Sequence, residues 1–350
     1  MKLNAKEDQL HIRAFLAECA CRCRFCCVGD NPHDKRINFD DYEKVLRKFV
    51  NIYNSHSMRL GSYIFNTIEH PNLGRQIALF KELDIMNEND YTCFDINGTC
   101  IKSTDEIIKW FETLKTDGMK KVAFSWFGLE KTHDGFVNYS GCYNYLIKCA
   151  EYANKLDIPV ISKVYFHNGI LNEVMELVSI LEGFSTRIIT AFMEHNGRGK
   201  KIEPSFLTEN EYRALPDQIK KMFRPSYLKK FKTEMEWIEF AENDRFPEFT
   251  IVDYVIYLYA DNIDYYLNAG VDEVVDSFRK YNDRFQKSVG NISDLAKNYG
   301  NKESLILYEC RDVLRKWLDR FYEKHNFNTS DLFSYTTNSV EWKVYERLQY

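Results

Sequence analysis

Strand-like and helix-like segments alternate along the first two-thirds of the chain, and this alternation is the strongest constraint on its fold. The predicted strands cover residues 10–17, 58–65, 91–96, 121–126, 158–166 and 187–192. The predicted helices cover residues 40–53, 76–83, 105–116, 143–156 and 170–181. Strand–helix repeats predict parallel strands with right-handed crossovers, which is the α/β class. We therefore predict a partial (β/α)6 TIM-like barrel.

The chain changes character beyond about residue 205. Charged, aromatic-rich helical patterns dominate there, and one β-like run at residues 250–259 interrupts them. We predict two domains, a core barrel over residues 1–204 and a mainly helical C-terminal region over residues 205–350 that covers the substrate site. A chain of 350 residues is long enough for this organisation.

The composition argues against several classes of protein. The net charge of −5 is unlike that of chains built to coat nucleic acid, which carry a strongly basic face. No apolar run is long enough to predict a membrane-spanning helix, and no apolar segment follows a basic start as in a secretory signal. We therefore expect a cytoplasmic protein without structural disulfides, in which metal binding or burial explains most of the ten cysteines.

Five of the cysteines fall in one run, Cys-Ala-Cys-Arg-Cys-Arg-Phe-Cys-Cys, over residues 19–27. Within it Cys19, Cys23 and Cys26 have the spacing C-x3-C-x2-C, and Phe25 directly precedes the third cysteine. The run follows the first predicted strand, and in parallel barrels the chemistry lies at the carboxyl ends of the strands. Thiolates are the soft ligands of iron–sulfur clusters. Zinc is the competing interpretation, but a zinc ribbon needs a second cysteine pair at defined spacing, which the sequence lacks.

In spacing, aromatic position and place after the first strand, the run resembles the cluster loop of the radical S-adenosylmethionine (SAM) superfamily, C-x3-C-x-Φ-C with Φ aromatic. The resemblance implies an enzyme in which these three cysteines hold a [4Fe–4S] cluster and SAM fills the open iron position. It implies that an electron from a donor such as flavodoxin or ferredoxin cleaves SAM to a 5′-deoxyadenosyl radical, which abstracts hydrogen from a substrate. It places Phe25 among the cofactor-binding residues, and it leaves Cys21 and Cys27 outside the ligand set.

The resemblance extends to about residue 200 and implies SAM contacts after two further strands. The family turn Gly-Gly-Glu-Pro after strand two corresponds to the stretch that contains Thr67, Ile68 and Glu69, in which both glycines are replaced. Ser125, on the fourth predicted strand, is the expected hydrogen-bonding residue beside SAM.

Two more segments are assigned by the same resemblance. On the fifth predicted strand, Ser162 or Lys163 is expected to meet the SAM carboxylate, and a lysine does this as a point charge. Residues 130–134 are expected to form a polar loop. After the sixth strand, Gly197-Arg198 resembles a turn of peptide-modifying members, which places Arg198 among the cofactor-binding residues; a simple turn is the alternative.

The remaining cysteines bear on the number of clusters. Only Cys310 lies beyond residue 149, so we do not expect the seven-cysteine extension that holds auxiliary clusters in many peptide-modifying members. Cys142 and Cys149 lie seven apart on a predicted helix, which is the spacing of buried core positions. Cys310 is either a buried thiol or a hydrogen-atom donor, and no other catalytic residue is assigned.

Three functions remain open. A ribosomally synthesised peptide is the favoured substrate, because of the single cluster, the moderate size and the Gly-Arg turn. Only about nine residues precede the first strand, so we expect no separate N-terminal leader-binding domain. The first alternative is a radical SAM enzyme that acts on a small metabolite or RNA, since the basic stretch 220–232 suits phosphates. The second is a non-catalytic SAM-binding scaffold, which the replaced glycines allow and the intact cysteine triad opposes.

Overall fold

Parallel β-sheets position the candidate site in the computed structural model. The structure describes residues 7–16, 19–26, 36–65, 73–84, 86–87, 93–98, 100–246, 251–325 and 338–343. Its strands are β1 (Glu7–Phe15), β2 (Met58–Phe65), β3 (Met86–Asn87), β4 (Cys93–Ile96), β5 (Lys121–Trp126), β6 (Val160–Phe166), β7 (Arg187–Phe192), β8 (Phe231–Thr233), β9 (Ile251–Leu258), β10 (Leu307–Glu309) and β11 (Asn338–Lys343). One sheet has the order β11-β9-β1-β2-β3 and another has β4-β5-β6-β7, while β10 pairs with β8.

Helices connect the strands and form most of the C-terminal region. They are α1 (Phe39–Phe49), α2 (Ile52–His56), α3 (Leu73–Leu83), α4 (Thr104–Thr116), α5 (Glu130–Val137), α6 (Cys142–Lys155), α7 (Val174–Glu182), α8 (Glu209–Ala214), α9 (Asp217–Lys220), α10 (Pro225–Leu228), α11 (Glu234–Glu242), α12 (Ile263–Asn268), α13 (Val271–Val289), α14 (Ile292–Tyr299) and α15 (Cys310–His325). Two 3₁₀ helices cover Asn168–Ile170 and Gly197–Ser205. Among the described helices, none is long and apolar enough to cross a membrane.

The predicted α/β class with a partial, TIM-like barrel of parallel strands is confirmed. The bounds of β2, β5 and β7 coincide with the predicted strands 58–65, 121–126 and 187–192. Local chemistry sets several helix starts, as at α4, where Ser103 and Glu106 form a reciprocal capping box. The C-terminal region is mainly helical, as predicted. Its separation from the barrel as a domain at residue 204 stays a prediction.

The strand β9 extends the first sheet from the C-terminal region. It pairs in parallel with β1, from Glu7 opposite Ile251 to Ala14 opposite Leu258. On one face of this pair Leu10 and Ile12 join the core under the helices. The other face, which we call the inner face, carries the alternate residues. The β-like character of 250–259 was visible in the sequence, but its pairing with a strand some 240 residues earlier was not.

Polar and aromatic side chains cover the inner face of β1 and β9. The imidazole Nε2 of buried His11 lies 3.5 Å from a carboxylate oxygen of buried Asp253. Two residues further along β1, the Arg13 guanidinium donates to the hydroxyl of Tyr257 over 3.1 Å. At the carboxyl end the rings of Phe15 and Tyr259 stack with centroids 5.4 Å apart.

A buried charged network fastens α15 to the segment after β7. The ammonium group of buried Lys316 lies 2.5 Å from the Glu203 carboxylate and 2.9 Å from that of fully buried Glu234. The Glu234 carboxylate also accepts from the Trp317 indole N–H over 3.0 Å and from the Arg320 guanidinium over 2.8 Å. These contacts satisfy charges that would otherwise be costly to bury.

His195 links the same network to the strand ends. Its Nδ1 lies 2.9 Å from Glu203 and its Nε2 lies 3.2 Å from Asp319. Burial acts to lower the pKa of His195, but the hydrogen bonds to Asp319 and Glu203 outweigh it and raise the pKa. Burial likewise acts to raise the pKa of Glu203, and His195 and Lys316 lower it to about 2.

Candidate functional site

Backbone hydrogen bonds hold the cysteine loop against the end of α5. The N–H groups of Arg22 and Arg24 donate to the carbonyl oxygens of Val137 and Phe136, each over 2.9 Å. These carbonyls belong to the last turn of α5, where helical partners are lacking. These two hydrogen bonds fix residues 22–24 along the end of α5, and the chain then turns at residues 24–25.

The loop presents three half-buried thiols directly after β1. Cys19, Cys23 and Cys26 are partly accessible, and Cys19 and Cys23 pack against the core. The N–H of Cys26 donates to the Cys23 carbonyl over 3.3 Å, and the Cys26 carbonyl accepts from the N–H of Arg198 over 2.9 Å. Three soft donors on a fastened, partly accessible loop fit an iron–sulfur cluster. Within the described ranges, no three His, Cys, Asp or Glu side chains are grouped so as to hold a metal ion.

Cys21 is buried at the core side of the loop, where its thiol contacts those of Cys19 and Cys23 as well as that of Cys142. Its sulfur lies 3.6 Å from the Gly98 carbonyl oxygen and 3.9 Å from that of Asn97, which is also 3.9 Å from the sulfur of Cys142. The hydrogen bond between the thiols of Cys21 and Cys142 raises the pKa of Cys21 and lowers that of Cys142, and the thiols of Cys19 and Cys23 raise the pKa of Cys21 further. Gly98 has φ +67°, and a Cβ there would lie 2.6 Å from the Cys142 sulfur, so this turn requires glycine.

The other cysteines in the described residues are spread through the molecule. Cys142 and Cys149 are both fully buried, which confirms the prediction from their helical spacing. Cys310 is half-buried, and burial raises the pKa of its thiol to about 12. Cys27 lies outside the described residues.

Phe25 anchors the loop in an aromatic stack over the strand ends. Its ring lies 4.2 Å from that of Phe127, 5.5 Å from Phe136 and 6.4 Å from Tyr165, measured between centroids. His167 stacks on Phe136 at 4.3 Å, and its Nε2 contacts the Phe127 carbonyl oxygen over 2.9 Å. Burial lowers the pKa of His167, so its imidazole is neutral and Nε2 is the donor. The stack fixes the aromatic position of the cysteine motif against strands β5 and β6.

One face of the sheet formed by β4, β5 and β6, the face opposite buried Ser162, carries Asp95, Ser125 and Lys163. Ser125 lies opposite Lys163 in the pairing of β5 with β6, and both are partly accessible. The Lys163 ammonium lies 2.5 Å from the Asp95 carboxylate. Ser125 and Lys163, both predicted to contact SAM, therefore lie side by side in the structure. It adds Asp95, which sequence reasoning missed because only strand pairing reveals its neighbours.

The prediction for Ser162 is corrected by its position on the opposite face of β6. It is fully buried, and its hydroxyl accepts from the Trp126 indole N–H over 3.0 Å and shares a 2.7 Å hydrogen bond with Ser185. Successive residues of a strand point to opposite faces, so Ser162 and Lys163 cannot both face the same ligand. Of the two candidates only Lys163 is kept.

The expected polar loop at 130–134 is wrong, because these residues open helix α5. Their side chains serve the fold. The Asp134 carboxylate accepts from the N–H groups of Gly141 and Tyr143 over 2.6 and 2.8 Å and so caps α6. Glu130 accepts from the Asn144 amide over 2.6 Å.

Two predicted regions have different outcomes. Thr67, Ile68 and Glu69 lie outside the described residues. The predicted Gly-Arg turn lies at the start of the second 3₁₀ helix, with Gly197 at φ +52°. The backbone N–H of Arg198 ties this turn to the cysteine loop, while contact of its side chain with a cofactor stays a prediction.

Comparison with known proteins finds one matching family model and several solved structures of low sequence identity. Residues 15–182 match the model of the radical SAM superfamily. No curated protein matches the chain significantly.

Three solved structures illustrate the similarity of fold. Native anSMEcpe with bound AdoMet and a peptide is 12% identical, covers 93% of this chain and 99% of its own, and has a TM-score of 0.48. Streptococcus suis SuiB bound to precursor peptide SuiA is 13% identical, with 75% and 61% covered and a TM-score of 0.43. Coproporphyrinogen III oxidase (HemN) from Escherichia coli is 9% identical, with 99% and 88% covered and a TM-score of 0.41. The alignments with SuiB span 40% to 61% of its length.

Proposed function

We propose that Cys19, Cys23 and Cys26 hold a [4Fe–4S] cluster, because residues 15–182 match the model of the radical SAM superfamily, whose enzymes use SAM and an iron–sulfur cluster. When bound, the cluster and SAM would supply the radical chemistry for abstracting hydrogen from the substrate. The observation that carries this proposal is the loop of three accessible thiols, clamped between α5 and Arg198 at the carboxyl end of β1.

The chain's own residues hold and orient the reactants. Lys163 keeps one ammonium proton on Asp95 and has donors left for the carboxylate of SAM. Ser125, opposite Lys163 on the same face, supplies a hydroxyl for the ribose or carboxylate. Phe25, stacked on Phe127, gives the apolar surface against which an adenine ring packs. Through Phe25 the cluster loop packs on Phe127 and Tyr165, which adjoin the ends of the strands that carry Ser125 and Lys163, so reacting atoms held by both would be close.

The substrate we propose is a ribosomally synthesised peptide. The Gly197-Arg198 turn supports it, because this turn lies against the cysteine loop and so borders the place of the chemistry. The polar and aromatic inner face of β1 and β9 offers donors, acceptors and rings suited to a peptide chain. A small metabolite or RNA is the other outcome of the experiment.

Dithionite-reduced protein is expected to release 5′-deoxyadenosine from SAM slowly without substrate, since substrate mainly improves positioning. The measurement is deoxyadenosine by liquid chromatography under anaerobic conditions. A short peptide encoded beside the gene should raise the rate if the substrate is a peptide, and metabolites or RNA should not. Cluster-replete, reduced protein that releases none with any candidate would establish the scaffold function instead.

Replacing Ser125 by Ala is expected to weaken SAM binding about tenfold and to leave the iron content unchanged, because one hydrogen bond to a charged ligand is lost. The matched control is Ser162→Ala, which removes a hydroxyl from the neighbouring strand but on the face turned away from the site. Affinity is measured by equilibrium titration of the loaded protein with SAM. Equal affinities of the two variants would remove Ser125 from the site.

A further inference from the structure

The segment that contains α9, α10 and β8 carries a positively charged surface. From residue 217 to residue 232 the chain has six lysines and arginines and one aspartate. Lys221, Arg224 and Lys229, which we call the basic rim, are exposed and form no ion pair with any described residue. The aspartate, Asp217, lies 3.6 Å from the Lys220 ammonium group. The charges of the basic rim are therefore not offset within their own segment.

Aromatic side chains anchor this segment at the carboxyl ends of β6 and β7. The ring of buried Phe223 lies 4.8 Å from that of Phe166 and 5.1 Å from that of Phe192, measured between centroids. Phe166 and Phe192 are the last residues of the two strands. The hydroxyl of Tyr227 accepts from the Phe192 N–H over 2.9 Å, at the edge strand of that sheet. Because the rings hold the segment to the sheet, its cations are left on the outer surface.

The cysteine loop lies at the same end of these strands. Tyr165, the residue before the end of β6, has its ring 6.4 Å from that of Phe25 in the loop. After the end of β7, the N–H of Arg198 donates to the Cys26 carbonyl over 2.9 Å. A ligand held on the basic rim would therefore lie at the edge of the sheet where we propose the chemistry.

The carboxylates close to the basic rim are paired with a cation outside it. Burial raises the pKa of the Tyr227 hydroxyl, and the charges of Glu309 and Glu194 raise it further, which places both carboxylates near this residue. The Arg311 guanidinium lies 3.1 Å from the Glu194 carboxylate and 3.7 Å from that of Glu309. Glu194 and Glu309 are thus engaged by Arg311 rather than by the basic rim.

The arrangement of charges and rings indicates the class of ligand. The three cations are exposed and spread along the segment rather than gathered in a pocket, which suits a ligand with several separated negative charges. Single-stranded RNA has such charges, but it also binds by stacking its bases on aromatic side chains. The rings of this segment are packed on the protein instead, as Phe231 is on Phe192 at 4.5 Å and on Tyr227 at 4.8 Å. Exposed charge without exposed rings favours the acidic side chains of a peptide.

We propose that the basic rim binds an acidic segment of the substrate peptide and so brings the reacting residue to the cysteine loop. The inference rests on the proposed function and narrows the substrate class of that site to a peptide rich in aspartate or glutamate. The rim cations pair with side-chain carboxylates, and no covalent bond changes. Because these pairs form at the surface, binding should weaken as salt is added.

Binding of labelled probes to the cluster-loaded protein tests the proposal. An oligo-glutamate peptide, an oligo-glutamine peptide and an oligouridylate are each titrated, and fluorescence anisotropy is measured at several salt concentrations. Native protein should bind oligo-glutamate more tightly than the other two probes. The double variant Arg224→Glu/Lys229→Glu should bind oligo-glutamate about tenfold more weakly, with a shallower dependence on salt. The matched control is Lys109→Glu, which reverses an exposed charge on α4, next to the opposite edge strand β4, and should bind like native protein.

A probe of opposite charge separates recognition of charge from misfolding. An oligo-lysine peptide should bind the double variant more tightly than it binds native protein, because the sign of the rim is inverted. Unchanged binding of oligo-glutamate in the double variant, an equal loss in the control, or no gain with oligo-lysine would overturn the proposal. Tighter binding of oligouridylate than of oligo-glutamate by native protein would overturn it in favour of RNA. Native protein that forms no 5′-deoxyadenosine would reject the proposed function, whatever the binding result.

Discussion

Replacing Cys19, Cys23 or Cys26 by alanine is expected to abolish the iron–sulfur centre. A cluster held by three protein thiolates loses a third of its protein ligation with each substitution. Anaerobically reconstituted native protein should contain about four irons per chain and show the charge-transfer absorption of a [4Fe–4S] centre. Each variant should lose both, together with deoxyadenosine formation.

Two variants serve as controls for this loss. Cys21→Ala should keep the iron, because Cys21 lies outside the C-x3-C-x2-C spacing and its buried sulfur contacts the Gly98 carbonyl and the Cys142 thiol in addition to the thiols of Cys19 and Cys23. Cys149→Ala changes a fully buried thiol on α6 and should keep the iron as well. Native protein that contains stoichiometric zinc and no iron would contradict the cluster assignment. Iron near eight per chain would contradict a single cluster.

The local pattern of the sequence was enough to predict the barrel strands and the cysteine loop. The strands β2, β5 and β7 were predicted to the residue, because short runs rich in aliphatic and aromatic residues with clear boundaries depend little on distant contacts. The place of the cysteines after β1 followed from the same pattern, since carboxyl ends of parallel strands share one edge.

The sequence pattern alone did not predict on which face of a strand each side chain lies. A shift of one residue moves a side chain to the other face of a strand, and this decided between Ser162 and Lys163. Contacts between segments far apart in the chain could not be predicted from the sequence either. The contact of Cys21 with Gly98 and Cys142 joins three segments, and Asp95 meets Lys163 only through the order of β4, β5 and β6.

Replacing Lys316 by Met is expected to lower the free energy of unfolding by about 3–5 kcal/mol, the range for breaking a buried ion pair. The substitution keeps the length of the side chain but removes the ammonium group between Glu203 and Glu234, 2.5 and 2.9 Å away. It removes the one cation shared by fully buried Glu234 and half-buried Glu203, so that Arg320 and His195 alone offset the two carboxylates. Since a domain of ordinary stability unfolds with about 5–15 kcal/mol, the variant should unfold at much lower urea concentration.

The control is Lys302→Met, which removes a surface ammonium 3.5 Å from Glu242 and should cost less than about 1 kcal/mol. A second substitution tests the cause. Adding Glu203→Gln to Lys316→Met removes one of the two repelling charges, so the double variant should be more stable than the single one.

The pH dependence of stability gives an independent check. Because the native pKa of Glu203 is lowered to about 2, its ionised form stabilises the native protein above pH 4.5, and this contribution is lost as the pH falls towards 2. Lys316→Met should flatten that dependence, and a double variant no more stable than the single one would show that lost packing, rather than repulsion, causes the destabilisation.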